Sequence, residues 1–333
     1  MSKKTKDTEY LTMSAMLRAR EGSMLSHDRM DRMLSAGSYA EAAKLLTECG
    51  YEDMSEADAA GIDAALTKHR SDIFAELAGM AAQPEVVDIF RLKYDYHNIK
   101  TLVKAAGAEV SGDRLLSDCG RVPAAKLKEY VEEETLSNLP ADMAKAYEEA
   151  VKVLARTGNP QLADFELDAA YFAELLRLAE ATGSEFVKGY VRTMIDSANL
   201  RAAVRTVRMG KDRDFMLTAL VSGGTVDRDV LCQAAESGEG IVQAFASGYL
   251  EHAAQLGAEA MKGGTMTDFE LACDNAVSNY LAQAKTKPFG IEAVTEYLAL
   301  LEAEITAARM ILTGRLAGIE PEVIRERLRD INA

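Results

Sequence analysis

The sequence has no tryptophan and only 6 prolines among 333 residues. Residues that favour α-helix, such as Ala, Leu, Glu, Met and Arg, are plentiful instead. With few helix breakers and little of the β-branched and aromatic content typical of sheets, the chain is a poor candidate for a β-rich fold. The composition therefore predicts an all-α protein.

Cysteine and histidine are too few and too scattered to suggest a disulfide framework or a zinc site. The four cysteines contain no CxxC pair, and the four histidines share no ligand spacing with one another or with the cysteines. We therefore predict no metal or other cofactor. Free, widely spaced cysteines also favour a reducing, intracellular compartment.

Long apolar runs and excess positive charge are missing as well. No window approaches the roughly 18 consecutive apolar residues of a membrane helix, and the opening "MSKKTKDTEYLTMSAMLRARE" lacks the apolar core of a signal peptide. The net charge of −15 argues against nucleic-acid binding and is compatible with a basic partner. With 48% hydrophobic residues, the chain can still bury the cores of two or three domains.

Three long amphipathic segments resemble one another. They read "FRLKYDYHNIKTLVKAAG" at 90–107, "YVRTMIDSANLRAAVRTVRMG" at 190–210 and "YLALLEAEITAARMILTGRLAG" at 297–318. Alignment pairs Asn98 with Asn199, 101 residues later. The similarity suggests an internal repeat.

Flanking segments recur at nearly the same spacing. "DFEL" at 164–167 returns at 268–271, "GIDAAL" at 61–66 resembles "ELDAAY" at 166–171, and "GRVPAAKL" at 120–127 resembles "GTVDRDVL" at 224–231. A period of about 100 residues is too long for tetratricopeptide or HEAT arrays, whose repeats are roughly 34 to 47 residues. We therefore predict a triplication into three similar helical domains at 1–109, 110–212 and 213–333.

In each copy, the closing helix carries an apolar stripe at helical spacing, which predicts a core face. The stripe residues of the first two copies are Ile99, Leu102, Val103, Ala106, Leu200, Ala203, Val204 and Val207. The third copy keeps Ile305, Ala308 and Leu312, but it places Arg309 where the other copies have valine.

The chain resembles a known family from about residue 9 to its end. The residues that carry the resemblance are "EYLTMSAMLRARE" at 9–21, "RLKYDYHNIKTLVKA" at 91–105, "YVRTMIDSANLRAAVR" at 190–205 and, most specifically, "KPFGIEAVTEYLALLEAEITAARMILTGRLAGIEPEVIRERL" at 287–328. They resemble the C subunits of the bacterial and archaeal V/A-type rotary ATPases, which are relatives of the d subunit of the eukaryotic vacuolar ATPase.

The resemblance implies three similar helical domains arranged as a pseudo-threefold funnel. Such a protein performs no chemistry: it sits on the membrane proteolipid ring at the cytoplasmic face and receives the central-stalk shaft made by the D and F subunits, so that it transmits torque. It would bind neither nucleic acid nor a small-molecule substrate. Because triplication supplies the threefold arrangement within one chain, we expect a monomer when the protein is isolated.

Basic residues repeat on the closing helices and are candidate partner contacts. They are Lys100, Lys104, Arg201, Arg205 and Arg208. One interpretation is a basic stripe that faces an acidic partner, and the other is a solvated helix face that balances an acidic protein. The third copy breaks the pattern with Thr306 and Met310.

A second polar repeat consists of Asp95 with Asn98 and Asp196 with Asn199, at i, i+3 spacing on one helix face. It could form a paired polar site near the pseudo-axis, or a solvated or interdomain hydrogen-bonding face. The third copy has Leu301 and Glu304 at these positions.

The glycine pairs in "SGGT" at 222–225 and "KGGT" at 262–265 lack the order of a phosphate-binding loop and predict turns. Two other functions stay open: a helical enzyme with its active site between domains, and a helical adaptor unrelated to rotary motors. No nucleophile, acid–base pair or cofactor loop can be named for the former.

Overall fold

The computed structural model describes residues 6–108 and 110–328, which form α-helices and short 3₁₀ turns without any β-strand. The all-α prediction is confirmed for this part of the chain. In chain order the α-helices are α1 Leu11–Glu21, α2 His27–Ser35, α3 Tyr39–Thr47, α4 Ala59–Met80, α5 Glu85–Ala108, α6 Ala124–Glu132, α7 Ala141–Thr157, α8 Pro160–Ala181, α9 Glu185–Arg208, α10 Arg213–Ala219, α11 Arg228–Ala234, α12 Gly238–Ala244, α13 Glu251–Met261, α14 Met266–Leu281, α15 Ile291–Leu316 and α16 Pro321–Arg325. The 3₁₀ turns are Asp7–Tyr10, Asp113–Leu115, Leu136–Asn138 and Ala282–Thr286.

The helices gather into two compact units. One unit comprises residues 88–280, and the other combines residues 6–87 with residues 281–328. In the first, α8 packs against α7 and α9, and α9 packs against α13. In the second, α15 packs against α1, α2, α3 and α4. The three domains predicted from sequence similarity do not coincide with these compact units, and both the triplication and its boundaries stay a prediction.

Short polar side chains fix where many of the helices begin. Ser26, Ser38, Asp58 and Ser184 each accept a hydrogen bond from a backbone amide in the first turn of the helix that follows. At the end of α7, Gly158 adopts a left-handed conformation with φ of 63° and donates to the Leu154 carbonyl oxygen. Local sequence thus sets these helix ends before any tertiary contact is made.

Two long helices follow one another along the chain three times, as α4 then α5, α8 then α9, and α14 then α15. The first helices of the pairs begin at Ala59, Pro160 and Met266, which are 101 and then 106 residues apart. The second helices begin at residues 85, 185 and 291, which are 100 and then 106 residues apart. The regular spacing follows the repeat seen in the sequence.

The predicted core stripe of the closing helices is largely confirmed. All its members are buried or half-buried except Ala106, which is exposed because it lies in the last turn of α5, beyond the core. Arg309 stands outside the stripe with an exposed side chain. No helix within the described ranges is long and apolar enough to cross a membrane.

Candidate functional site

The paired Asp and Asn side chains of α5 fasten the loop that follows this helix. Asn98 and the Ser117 backbone exchange two hydrogen bonds, Nδ2 to carbonyl oxygen and amide to Oδ1, each 2.8 Å long. Asp95 Oδ1 accepts from the amides of Arg121 and Val122 at 2.8 and 3.1 Å. Both helix residues are fully buried. The loop amides therefore find partners that replace water.

The α9 helix fastens its own following loop in the same way. Asn199 and Val221 exchange two hydrogen bonds of 2.8 Å. Asp196 Oδ1 accepts from the amides of Thr225 and Val226 at 2.9 and 3.3 Å, and Oδ2 accepts from the Thr225 hydroxyl. The helix residues are 101 residues beyond those of α5, and the loop residues are 104 beyond.

A glycine lets each loop approach its helix. Gly120 lies against Asp95, and Gly224 lies against Asp196, so closely that a Cβ on either glycine would collide with the carboxylate. Because backbone amides hold that carboxylate, it cannot move aside freely. The "SGGT" segment is thus part of a loop held by α9, and the first two residues of "KGGT" form a turn between α13 and α14, so the prediction of a turn is confirmed for the second segment only.

On α15, the side chain of Glu304 holds another segment of the chain in a corresponding way. Its Oε2 accepts from the Leu25 amide at 2.9 Å, and its Oε1 accepts from the Tyr51 hydroxyl at 2.6 Å. This carboxyl stands where the first two copies have Asn98 and Asn199, and it is also buried. The segment it holds is near the start of the chain. Of the alternatives for these positions, a solvated face is therefore wrong and a hydrogen-bonding face is confirmed.

Burial is the main influence on the pKa values of the three carboxyl groups that hold these segments. Removal from water raises the pKa of Asp95, Asp196 and Glu304 above the ordinary values for their side chains, because it disfavours the charged form. Hydrogen bonds from the held segments oppose the shift in each case. Among the described residues, Asp95 alone of the three carboxyls forms an ion pair, with Arg121.

Arg121 joins three elements into one buried network. Its Nε lies 2.7 Å from Asp95 Oδ2, and its Nη1 lies 2.9 Å from Glu174 Oε1 on α8. Tyr96 donates its hydroxyl to the other oxygen of Glu174 at 2.9 Å. The guanidinium of Arg121, which is only 15% exposed, lies between two buried carboxylates and thereby links α5, α8 and the loop.

Sequence reasoning missed Arg121 and Glu174. A signal for Glu174 was present, because it lies on an apolar stripe of α8 with Leu167 and Leu178, both buried. A carboxylate at helical spacing among leucines needs a buried partner. Nothing in the spacing identifies Arg121 as that partner, since the two residues are 53 positions apart.

The basic residues predicted as partner contacts on α5 bind acidic residues of α8. Lys100 Nζ lies 2.5 Å from Asp168 Oδ1, and Lys104 Nζ lies 2.7 Å from Asp164 Oδ2. The Lys104 side chain remains 46% exposed, so it is still accessible from outside.

Those on α9 bind α13 and α14. Arg201 pairs with Asp274, and Arg205 Nη2 lies 2.6 Å from Glu270 Oε1. The remaining one, Arg208, donates to backbone carbonyl oxygens at the end of α13. All five residues therefore have partners within the chain, and their role in contacting another protein stays a prediction.

A similar ion pair lies in the other unit, where Arg309 Nε is 2.8 Å from Asp63 Oδ1. Asp63, Asp164 and Glu270 are each the fifth residue of their helix, α4, α8 and α14. The helices α5, α9 and α15 thus form ion pairs with the first turns of α8, α14 and α4, respectively. Arg309 is aligned with the core valines Val103 and Val204, but its side chain is exposed and forms this ion pair instead.

Residues 6–108 and 110–328 contain no group of three or more His, Cys, Asp or Glu side chains placed to hold a metal ion. The polar clusters that do exist join helix to loop or helix to helix. What this arrangement can do is resist deformation, because each buried hydrogen bond would have to be broken without water to replace it.

Comparison with known proteins gives a match across nearly the whole chain. Residues 13–327 match the ATP synthase (C/AC39) subunit family. The C subunit of the V-type sodium ATPase of Enterococcus hirae is 24% identical, and the alignment covers 97% of this chain and 99% of the relative.

C subunits from archaea are similar to this chain as well. The C subunit of the A-type ATP synthase of Methanocaldococcus jannaschii is 25% identical, over 96% of this chain and 86% of the relative. That of Haloferax volcanii is 25% identical, over 94% and 95%. The chain therefore belongs to the ATP synthase (C/AC39) subunit family, the non-catalytic C subunits of rotary ATPases.

Proposed function

We propose that this chain is the rotor component that couples the D/F shaft of a V/A-type ATPase to the membrane proteolipid ring. It would transmit torque between ATP hydrolysis or synthesis and the transport of protons or sodium ions. The observation that carries the proposal is the family match over residues 13–327. On this proposal the chain lies at the cytoplasmic face of the membrane as a peripheral component and is a monomer when isolated.

The internal fastenings support a mechanical role. A body that transmits torque must resist twisting between its parts, and long helices tied to neighbouring segments at buried points deform little. α5, α9 and α15 each hold a segment of another part of the chain through buried carboxyl or amide groups. These contacts would stiffen the protein without any chemical step.

We also propose that the chain arose by triplication, with copies at 1–109, 110–212 and 213–333. Three features support this: the spacing of the long helix pairs, the repeated fastenings and the repeated ion pairs. The order of contacts is cyclic, since the closing helix of the third copy holds Leu25, near the start of the first. The pseudo-threefold funnel implied by the family resemblance stays a prediction.

The test is to co-express this chain with the D and F subunits from the same genome and to analyse the purified material by native mass spectrometry. A complex with one copy of each chain is the expected result. If D and F purify as a pair without this chain, its assignment to the shaft is wrong.

The same assay tests the basic residues as contacts. Under this proposal, Lys104→Glu and Arg205→Glu weaken association with an acidic partner surface, because each adds repulsion at the rim of the contact. The matched control is Arg309→Glu, which breaks an ion pair of the same kind outside the predicted set. Equal loss in all three variants would point to destabilisation and would contradict a contact role.

A further inference from the structure

Each point at which a long helix holds another segment is followed directly by two short helical elements. Leu25 precedes α2 and α3, Val122 precedes α6 and the 3₁₀ turn Leu136–Asn138, and Val226 precedes α11 and α12. Each of these three residues donates its backbone amide to a buried carboxyl group, on α15, α5 and α9 respectively. The three pairs of short elements therefore start from equivalent points and can be compared.

Two of the pairs are packed firmly. α2 and α3 both pack against α15, while α11 packs against α9 and α10, and α12 packs against α13. Met33 and Leu46 in the first pair are fully buried, as are Leu231 and Ile241 in the second. Each of these four helices begins after a Ser or Asp whose side chain accepts from an amide of the first turn. Both pairs are thus fixed at their ends and along their apolar faces.

The remaining pair, which we call the α6 segment and which comprises residues 124–138, is anchored far less. Among the described elements, α6 packs closely only against its own 3₁₀ turn, and that turn packs against α7. The helix buries Ala124 and Leu127, and the turn buries no side chain. Pro123 precedes the helix and has no side-chain acceptor, so the Ala124 amide donates to Asp118 Oδ1 at 3.0 Å instead.

The end of α6 carries backbone strain. Glu134 has φ of 56°, in the left-handed region that glycine adopts readily and other residues adopt at a cost. The Thr135 amide donates to the Tyr130 carbonyl oxygen at 2.9 Å, so Glu134 occupies the position where glycine commonly ends a helix. Glu132 and Glu133 stand beside it, which places three carboxylates at the negative end of the helix dipole.

The polar contacts of α6 are weak, whereas its base is firm. Lys128 Nζ lies 2.7 Å from Asp113 Oδ1 and 3.6 Å from Glu132 Oε1. Both acidic side chains are more than half exposed, so solvent screens these contacts. By contrast, the Val122 amide donates to the fully buried Asp95. A weakly held segment thus follows a strongly held one.

We propose that the α6 segment is a flap that opens as one unit from the rest of residues 88–280, while its base at Arg121 and Val122 stays bound to Asp95. The strained Glu134 and the charge beside it keep the closed form only slightly favoured, because few buried side chains offset their cost. Opening uncovers Leu127 and gives this unit a movable edge. The flap does not depend on the proposed rotor function or on any partner.

The test is native-state hydrogen exchange of the full chain, followed by NMR at several urea concentrations below the unfolding transition. After correction for intrinsic rates, amides 127–132 should exchange at least about tenfold faster than the hydrogen-bonded amides of α2 and α11. Their opening free energies should fall along one shared urea slope, smaller than that of global unfolding, because only part of the surface is exposed. The amides of Arg121 and Val122 should stay at least about tenfold more protected than those of α6.

Two substitutions at one position separate strain from charge. Glu134→Gly removes both, and it should slow the exchange of the α6 amides about threefold to tenfold. Glu134→Gln removes the charge alone, and it should slow exchange no more than about twofold. The matched control is Ser247→Gly, because Ser247 is also left-handed, with φ of 68°, but lies between α12 and α13. It should leave the exchange of α6 unchanged.

Three results would overturn the proposal. One is that the α6 amides share the opening free energy and urea slope of the Arg121 amide, because the segment then unfolds only with the whole unit. Another is exchange of α6 that is independent of urea, which indicates fraying of single hydrogen bonds. A third is equal exchange in Glu134→Gly and the wild type, because the left-handed residue then does not control opening. Each can occur with or without association of D and F, so this test and that of the rotor assignment fail separately.

Discussion

The loops held by α5 and α9 differ at the residue that follows the closely packed glycine. Both are held by the same pattern of backbone hydrogen bonds, but the first loop carries Arg121 where the second carries Thr225. The arginine brings a positive charge to this site, where it forms ion pairs with both Asp95 and Glu174. The threonine needs only the carboxyl of Asp196.

The difference teaches that the backbone geometry of the repeat is kept while its electrostatics change. A neutral hydroxyl can be removed at moderate cost, whereas one member of a buried ionic network cannot, because the remaining charges lose their compensation. The α5 fastening should therefore be the more sensitive of the two.

The largest expected effect tests that difference directly. Asp95→Ala should lower the free energy of unfolding by about 3–5 kcal/mol, because it breaks the ion pair with Arg121 and leaves the amides of Arg121 and Val122 without their acceptor. Asp196→Ala removes hydrogen bonds from neutral donors and should cost about 2–3 kcal/mol. Urea unfolding followed by circular dichroism measures both.

The surface variant Glu149→Ala serves as the control, since the side chain of Glu149 is 49% exposed and pairs only with Lys152 on the same helix. It should change stability by less than about 0.5 kcal/mol. Equal costs for Asp95→Ala and Asp196→Ala would contradict the special role of Arg121.

A second prediction asks whether the close approach is common to both loops. Gly120→Ala and Gly224→Ala should each cost about 1–3 kcal/mol, because the new Cβ would displace a hydrogen-bonded carboxylate. Gly79→Ala is the matched control: Gly79 is an exposed glycine inside α4 with open space around its Cβ position. There alanine should stabilise the helix by about 0.5–1 kcal/mol. If thermal melts show the same change in melting temperature for all three variants, the close-approach explanation is ruled out.

A third prediction extends the comparison to Glu304, whose fastening has no counterpart of Arg121. Burial raises the pKa of Glu304 above its ordinary value of 4.5. Its contribution to stability is therefore fully present below pH 4.5 and is lost as the pH rises through the raised pKa. Glu304→Gln removes this titration.

The stability of Glu304→Gln relative to the wild type should consequently improve as the pH rises from about 4.5 to 7, in urea titrations at several pH values. Tyr51→Phe removes a hydrogen bond that lowers the pKa of Glu304, and it should move the sensitive range to higher pH. Parallel pH profiles for the wild type and Glu304→Gln would show that the carboxyl does not titrate differently in the folded state.

The smallest effects belong to the exposed ion pairs. Lys104→Ala, Arg205→Ala and Arg309→Ala should each cost no more than about 1 kcal/mol, because solvent screens pairs whose basic side chains are 44–54% exposed. A double-mutant cycle with Asp164 should give a coupling that shrinks at high salt. A loss above about 2 kcal/mol at any of the three would mean that the pair also holds the helices in place.

The polar residues mark the limit of what could be predicted from the sequence. The i, i+3 spacing placed Asp95 and Asn98 on one helix face, but it left open whether that face meets water or another segment. Their partners lie 19 to 27 positions away in a loop, and helical periodicity carries no information on such a loop. The prediction that Ala106 lies in the core was wrong for a related reason, because the last turn of α5 extends beyond the core.

Composition and periodicity by themselves determined the helical class and the apolar stripes of α5, α9 and α15, because these depend on local preference and on spacing along one chain. Only the tertiary structure decided which polar residues are buried and which segment each one holds. Burial and pairing depend on segments far apart in the sequence, and the cost of removing a charge from water is set by what those segments place beside it.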